Sequence, residues 1–392
     1  MIARIYRSFF YVGLLYSVII ALLTIPAVQR HATFKHALRF PFYTKYDLPE
    51  KYGLAPGKTL NTYFTTPDNC TLGAWFALAD PSTVIDAIKT HPTALILHGA
   101  AGTRAASFRV DMYRGFTSRL QANVFAPNYR GFGDSTGSPD GPGLELDTYT
   151  SWKWLLERGA RPEDIVIVGH SLGTGIAGQL AKRLAAEDLR PRGIVLLAPF
   201  SSVSRLIESY DLWGIPILQP LQSFPWGLKL LKHIARIEFD TLAAIQDFNA
   251  PTLIAHAQDD TEVPHAHSKT LIDALLEPLL PGAIIQLPNA PGKTLTTEEF
   301  FAFRKQQEER NLKRGQIVKT TDVLNFGMIE EFKGLRAPIT YVETFWGSHG
   351  DIGAQEGVQD QMAKLFGLGI YRAEYERESD SVVDRVLHHL VE

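Results

Sequence analysis

Short runs of apolar residues recur along the chain at 94–97, 124–127, 165–168, 194–197, 252–255 and 339–342. They lack the polar-apolar alternation of a strand with one wet face, so they read as strands buried on both sides. Between them the spacing changes to that of helices. Thr174, Ile176, Ala177, Leu180, Ala181 and Leu184 fall on one helical face, and residues 266–279 carry a second such pattern. This alternation predicts an α/β fold, with a mostly parallel central sheet and helices on both faces. Ahead of it, residues 62–66 and 71–78 predict a β-hairpin.

Several segments depart from this pattern. Residues 9–28 contain no charged side chain, enough helix to cross roughly 30 Å of hydrocarbon. They are expected as a transmembrane anchor behind a short tail, 1–8, whose Arg4 and Arg7 precede the apolar run. A linker, 29–58, then leads into one large domain, 59–392, long enough for a single α/β core with insertions. Within it, Tyr210, Trp213, Phe224 and Trp226 belong to an apolar segment of about 201–245, placed where a cap over a site would lie. A polar insertion of about 281–333 holds Glu298, Glu299 and the charged run 304–310. Val382, Val386 and Leu390 mark a terminal amphipathic helix.

Composition narrows the partners. The 392 residues carry 39 basic and 42 acidic side chains, a net charge of -3, which gives no reason to expect nucleic acid or another polyanion. The single cysteine, Cys70, excludes an intrachain disulfide. No cysteine or histidine cluster has metal-ligand spacing, so neither a metal nor an organic cofactor is expected.

The chemistry begins where the run 165–168 enters Gly169-His170-Ser171-Leu172-Gly173 and the helical spacing starts at once. A Gly-x-Ser-x-Gly turn between strand and helix presents the serine on a sharp elbow, where side chains on either glycine would meet backbone. A serine hydroxyl is a weak nucleophile at neutral pH, so Ser171 requires a histidine to take its proton and a carboxylate to orient that histidine. In the α/β-hydrolase arrangement these follow in the order serine, acid, histidine, each after a later strand. The run 252–255 is followed by His256-Ala257-Gln258-Asp259-Asp260-Thr261-Glu262-Val263-Pro264. Acid loops of that arrangement read Gly-x-x-Asp-x-x-Val-Pro, and this resemblance puts the acid on Asp260, with adjacent Asp259 as the alternative or as a cap for the next helix. Five histidines lie beyond. His265 and His267 open the helix after the acid loop and read as surface residues, while His388 and His389 belong to the terminal helix. His349 follows the strand-like 339–344 in a glycine-flanked loop and is the expected general base.

Acyl transfer builds negative charge on a carbonyl oxygen, so backbone N–H groups must point at that position beforehand. The N–H of Leu172, directly after the nucleophile, is one expected donor. Ala100, in the turn after 93–97, is the other, and His98 beside it reads as structural, as do Arg130 and Asp134.

Four stretches together resemble a known family. They are Leu97-His98-Gly99-Ala100-Ala101-Gly102-Thr103-Arg104, Asn128-Tyr129-Arg130-Gly131-Phe132-Gly133-Asp134-Ser135-Thr136-Gly137, residues 169–175 and residues 256–264. Over roughly 60–370 their order resembles the membrane-anchored α/β-hydrolase-domain serine lipases that cleave monoacylglycerols and lysophospholipids, especially lysophosphatidylserine. The resemblance implies an α/β-hydrolase fold, the oxyanion role of Ala100, and the assignments of Asp260 and His349. The chain departs from the branch at Ala100, where asparagine is usual, at Gly350-Asp351, where Ser-Asp follows the histidine, and in the insertion at 281–333.

The resulting expectation is a membrane-anchored serine ester hydrolase of monoacyl lipids, with a lipid ester and the bilayer as its partners. A palmitoyl-protein thioesterase using the same residues is an alternative, as is an inactive binding protein on the same fold. Asn69-Cys70-Thr71 is a glycosylation sequon. It and the resemblance point to a luminal catalytic domain at the endoplasmic reticulum.

Overall fold

In the first of the apolar runs, Leu95 and Leu97 pack on one side of a sheet while Ala94 and Ile96 pack on the other. Residues 165–168 divide in the same way, Ile165 and Ile167 from Val166 and Val168, which is the two-residue period of a strand covered on both faces. The computed structural model describes residues 2–80, 84–209, 239–285 and 295–375. It contains one ten-stranded sheet, formed by β1 (Thr59–Thr65), β2 (Thr71–Ala77), β3 (Thr93–Leu97), β4 (Asn123–Pro127), β5 (Ile165–His170), β6 (Gly193–Leu197), β7 (Thr252–Ala257), β8 (Lys319–Val323), β9 (Gly327–Lys333) and β10 (Pro338–Thr344). The order is β1-β2-β4-β3-β5-β6-β7-β10-β9-β8. All six expected strands are present and form the parallel centre, from β4 to β10. Antiparallel hairpins extend both edges, β1-β2 as the sequence predicted and β8-β9 on the far side.

The helices Gly141–Glu157, Leu172–Ala186 and Ala266–Leu276 cover one face through Trp152, Ile176, Leu180, Leu184 and Leu271. The helices Ser107–Ser118 and Glu356–Phe366 cover the other through Val110, Tyr113, Phe116, Met362 and Phe366. Because β3, β5, β7 and β10 run parallel, their carboxyl ends lie along one rim, and the loops that follow them meet there.

One expectation changes. The anchor at 9–28 is not one helix: α1 (Ile2–Leu22) ends before Pro26, and α2 (Pro26–Phe34) restarts there. Proline disfavours helical geometry in the residue before it and has no N–H to donate, and Ile25 accordingly sits in the extended region at φ -79°, ψ 122°. The charge-free part of α1 after Arg7 rises only about 22 Å. Among the described residues no helix is long and apolar enough to cross a membrane. The polar segment 281–333 supplies the exposed helix Thr297–Ile317, started by a capping box of Thr296 and Glu299, and then β8 and β9. That helix is held by ion pairs, Arg310 to Glu277 at 2.5 Å and Arg314 to Glu330 at 2.7 Å, and it buries no residue fully. The expected cap falls mainly on 210–238 and the terminal helix on 376–392, both outside the described residues.

Two glycines of the helix Leu172–Ala186 give a test of how tightly it seats on the sheet. A Cβ on Gly173 would overlap the carbonyl of Leu97, whereas one on Gly178 would find its nearest neighbour, Ala244, at 3.5 Å. Thermal unfolding should therefore show Gly173→Ala strongly destabilised, by at least about 3 kcal/mol. Gly178→Ala should be neutral or more stable, by up to about 1 kcal/mol. Equal effects would contradict this seating.

Candidate active site

Ser171 stands between β5 and the helix Leu172–Ala186 with φ 52° and ψ -120°, a region that residues with side chains seldom enter. The turn is possible because its neighbours are small. A Cβ on Gly169 would lie 2.5 Å from the carbonyl oxygen of Gly173, and one on Gly99 would lie 3.0 Å from the Cβ of Ser171. The strained turn lifts the hydroxyl clear of the sheet, and the His349 ring meets it: Nε2 accepts from Ser171 Oγ at 2.8 Å. On the other side of the ring, Nδ1 donates to Asp260 Oδ2 at 2.7 Å. Serine, histidine and aspartate thus form one hydrogen-bonded chain drawn from the ends of three parallel strands.

Asp260 is fully enclosed at its side chain, and all of its acceptor capacity is used. Oδ1 accepts from the backbone N–H groups of Glu262 (2.8 Å) and Val263 (2.9 Å). Oδ2 accepts from His349 and, at 3.1 Å, from His256 Nε2. Burial alone would raise its pKa. The hydrogen bonds from His256 and His349 overcome that and hold the carboxyl well below the ordinary range.

His256 is a participant the sequence reading did not single out. Its Nε2 faces two acceptors, Asp260 Oδ2 and the carbonyl of Val263 (2.9 Å), so that nitrogen carries the proton. Nδ1 then accepts from Ser268 Oγ at 2.6 Å. A second buried imidazole, His170, donates from Nε2 to the carbonyl of His349 at 2.7 Å. Burial, reinforced by the neighbouring His349, pushes its pKa down to about 3, so it stays neutral and fixes the main chain of the His349 loop. Asp259 does not cap the following helix. It accepts from the N–H of Ser348 at 2.8 Å and ties the acid loop to the histidine loop. His267 corrects an expectation of surface exposure: it is buried beside Ser201, whose Oγ lies 2.9 Å from Nδ1. It shares the inward side of its helix with Ser268, Leu271 and Ile272.

The two expected oxyanion donors lie beside the serine. Leu172 is the first residue of its helix, where the N–H groups are unpaired and the dipole is positive. Ala100 follows Gly99, whose Cα faces the Ser171 side chain. Among the described residues neither N–H has an acceptor. His98 stays out of the hydrogen-bonded chain: it is buried against Tyr129 and Phe132, and its Nδ1 donates to the carbonyl of Gly99 at 2.8 Å. Arg130 and Asp134 likewise serve the fold, Arg130 in a buried pair with Asp147 (2.8 Å) and Asp134 in one with Arg104 (2.5 Å). No group of residues among those described could hold a metal ion.

The depressed pKa of Asp260 has a consequence for stability. A carboxyl whose folded pKa lies below its unfolded value, about 3.9, stabilises the fold above that value and loses the contribution as pH falls towards the folded one. Wild type should therefore unfold at a higher temperature than Asp260→Asn at neutral pH, with the gap constant above about pH 5 and closing below about pH 4. A gap that persisted unchanged in acid would contradict the assignment.

A family model described as the alpha/beta hydrolase family matches residues 94–319, more than half of the chain. A lysophosphatidylserine lipase, ABHD12, of Danio rerio is 30% identical over 259 residues, covering 63% of this chain and 66% of that protein. The lipase of the same name from Rattus norvegicus is 32% identical over 251 residues, covering 61% of each. Protein ABHD12B of Homo sapiens is 35% identical over 187 residues, covering 47% of this chain and 49% of that protein. The matched region is less than two thirds of the length of each of these relatives. With strand, elbow and acid loop inside the matched region, the chain belongs to the alpha/beta hydrolase family.

Proposed function

We propose that this protein is a serine ester hydrolase of monoacyl lipids, with lysophospholipids as the first substrate class, and that Ser171, His349 and Asp260 carry the reaction. The observation that carries the reading is the continuous hydrogen-bonded chain from Ser171 Oγ through His349 to Asp260, at 2.8 and 2.7 Å. His349 Nε2 takes the hydroxyl proton as Ser171 Oγ bonds to the ester carbonyl carbon, and Asp260 stabilises the imidazolium that forms. The carbonyl oxygen becomes an oxyanion held by the N–H groups of Ala100 and Leu172. His349 returns the proton to the leaving alcohol as the ester C–O bond breaks, which leaves an acyl-serine. Water then attacks that acyl group, giving its proton to His349, and His349 passes that proton to Ser171 Oγ as the acyl C–Oγ bond breaks and the free acid departs. The chemistry requires no cofactor.

The substrate class rests on the relatives named as lysophosphatidylserine lipases. Attachment to a lipid surface rests on α1, where Phe10, Val12, Leu14, Leu15 and Val18 are exposed. Such a helix, with Arg4 and Arg7 at its start, suits an apolar surface better than water.

One set of assays tests both parts. Full-length protein mixed with vesicles containing monoacylglycerols, lysophospholipids or acyl thioesters should release fatty acid chiefly from a monoacyl ester, and Ser171→Ala should abolish that release. Asp260→Asn should lower turnover by about 10⁴-fold through the wrong histidine tautomer, whereas Asp259→Asn, which only loosens the histidine loop, should lower it far less. The protein should sediment with the vesicles, and the pair Leu15→Asp and Val18→Asp should release it. Undiminished hydrolysis by Ser171→Ala would overturn the catalytic reading, and unchanged sedimentation of the charged pair would overturn the attachment.

A further inference from the structure

Arg109 lies at 2% exposure within the helix Ser107–Ser118, and among the described residues no carboxylate pairs with it. Burying a guanidinium without a counter-ion is unfavourable, so a side chain of similar volume without charge would serve the core better. Its hydrogen bonds show where it acts. Nη1 donates to the carbonyl of Thr103 at 2.8 Å, and Nη2 donates to those of Ala101 (2.9 Å) and Gly99 (3.2 Å). All three carbonyls belong to the turn that bears Ala100.

A trans peptide points its N–H opposite to its C=O. The carbonyl of Gly99 is gripped by Arg109 and by His98 Nδ1, so the Ala100 N–H of the same peptide plane is directed away from both. The opposite side of the turn is held as firmly. The N–H groups of Ala101, Gly102 and Thr103 donate to the carbonyls of Phe34 (3.0 Å), Leu38 (2.6 Å) and Phe40 (3.0 Å), and Arg104 N–H donates to Asn128 Oδ1 at 2.9 Å. Phe34 is fully buried in the core, and the Phe40 ring lies where a Cβ on Gly102 would come within 2.9 Å. From 101 to 104 every N–H is engaged, and that of Ala100 alone is left over.

We propose that Arg109, with residues 34–40 as the opposing strap, is a positioning residue that presets the Ala100 N–H for the oxyanion. Residues 34–40, expected as part of a linker, follow directly on α2, so the chain leading from the lipid-facing α1 ends on the oxyanion turn. The inference rests on the proposed serine hydrolase reading. Two side chains distinguish its parts. Arg109→Met fills the same space without donors, and Arg109→Lys keeps the charge but not the fork that spans three carbonyls. Phe40→Ala loosens the strap from outside the sheet core.

The experiment measures turnover of a monoacyl ester by full-length protein, normalised to the sites titrated to completion by a fluorophosphonate, together with the affinity of an acyl trifluoromethyl ketone. That ketone forms a tetrahedral adduct whose oxygen needs the same donors. Arg109→Met should lower kcat per titrated site about 10- to 100-fold, with KM changed less than about twofold, and weaken the ketone in parallel. Arg109→Lys and Phe40→Ala should fall in the same direction by less, and they carry the test if Arg109→Met does not fold. Fewer titratable sites with unchanged turnover per site and unchanged ketone affinity would show a structural role only and overturn the proposal. Failure of the wild type itself to turn over ester or take the label would instead overturn the hydrolase reading.

Discussion

The backbone of Ser171 is the constraint around which the other parts are arranged. A residue with a side chain held at φ 52° costs roughly 1–3 kcal/mol, and such a conformation persists only where its surroundings leave no alternative. Here β5 enters from the centre of the sheet, the helix Leu172–Ala186 leaves against β3, and Gly169 and Gly173 allow the two to touch backbone to backbone. The same closeness that strains the turn brings Gly99 against the serine and sets the Leu172 N–H at a helix start. Packing of sheet and helix thus brings the Ser171 hydroxyl, the Leu172 N–H and the turn at Gly99 together.

Around that elbow, buried polar groups are used with few left idle. Asp260 takes four donors, His256 is fixed by Ser268, and His170 holds the main chain of His349. Each interaction is stronger for being out of water, and each group would be costly if its partner were removed. The hydrogen-bonded chain from Ser171 to Asp260 is thus held by further partners along its length, and the strain at Ser171 is balanced by closely packed neighbours.

Much of this was legible in the residues. The apolar runs gave all six central strands because strands covered on both faces leave an unbroken signature, and the α/β-hydrolase order of serine, acid and histidine directed the search to the loops after the later ones. His349 was reached by elimination and Asp260 by the register of the acid loop; in the structure Asp260 bonds the His349 ring, and Asp259 the N–H of Ser348. What escaped was contact between elements that share no period. His256 meets Asp260 only because the chain turns back after β7, and nothing in its spacing announces this. Arg109 resembles any charged residue on a helix, and residues 34–40 bond through main-chain carbonyls, which side-chain patterns do not reveal. Two departures from expectation had a visible signal. Pro26 already marked the end of α1, and His267 shares an inward stripe with Leu271. The hairpin β8-β9 was obscured because its outer strand exposes nearly every residue, although Ile329 and Phe332 are core positions.

The central claim is that Ser171 is made nucleophilic by His349, and covalent labelling measures that without assuming a substrate. Full-length protein treated with a fluorophosphonate should gain the mass of one adduct, located by peptide mapping on Ser171, and His349→Ala should slow the labelling by several orders of magnitude. An adduct on a different residue, or labelling of His349→Ala at the wild-type rate, would contradict the account.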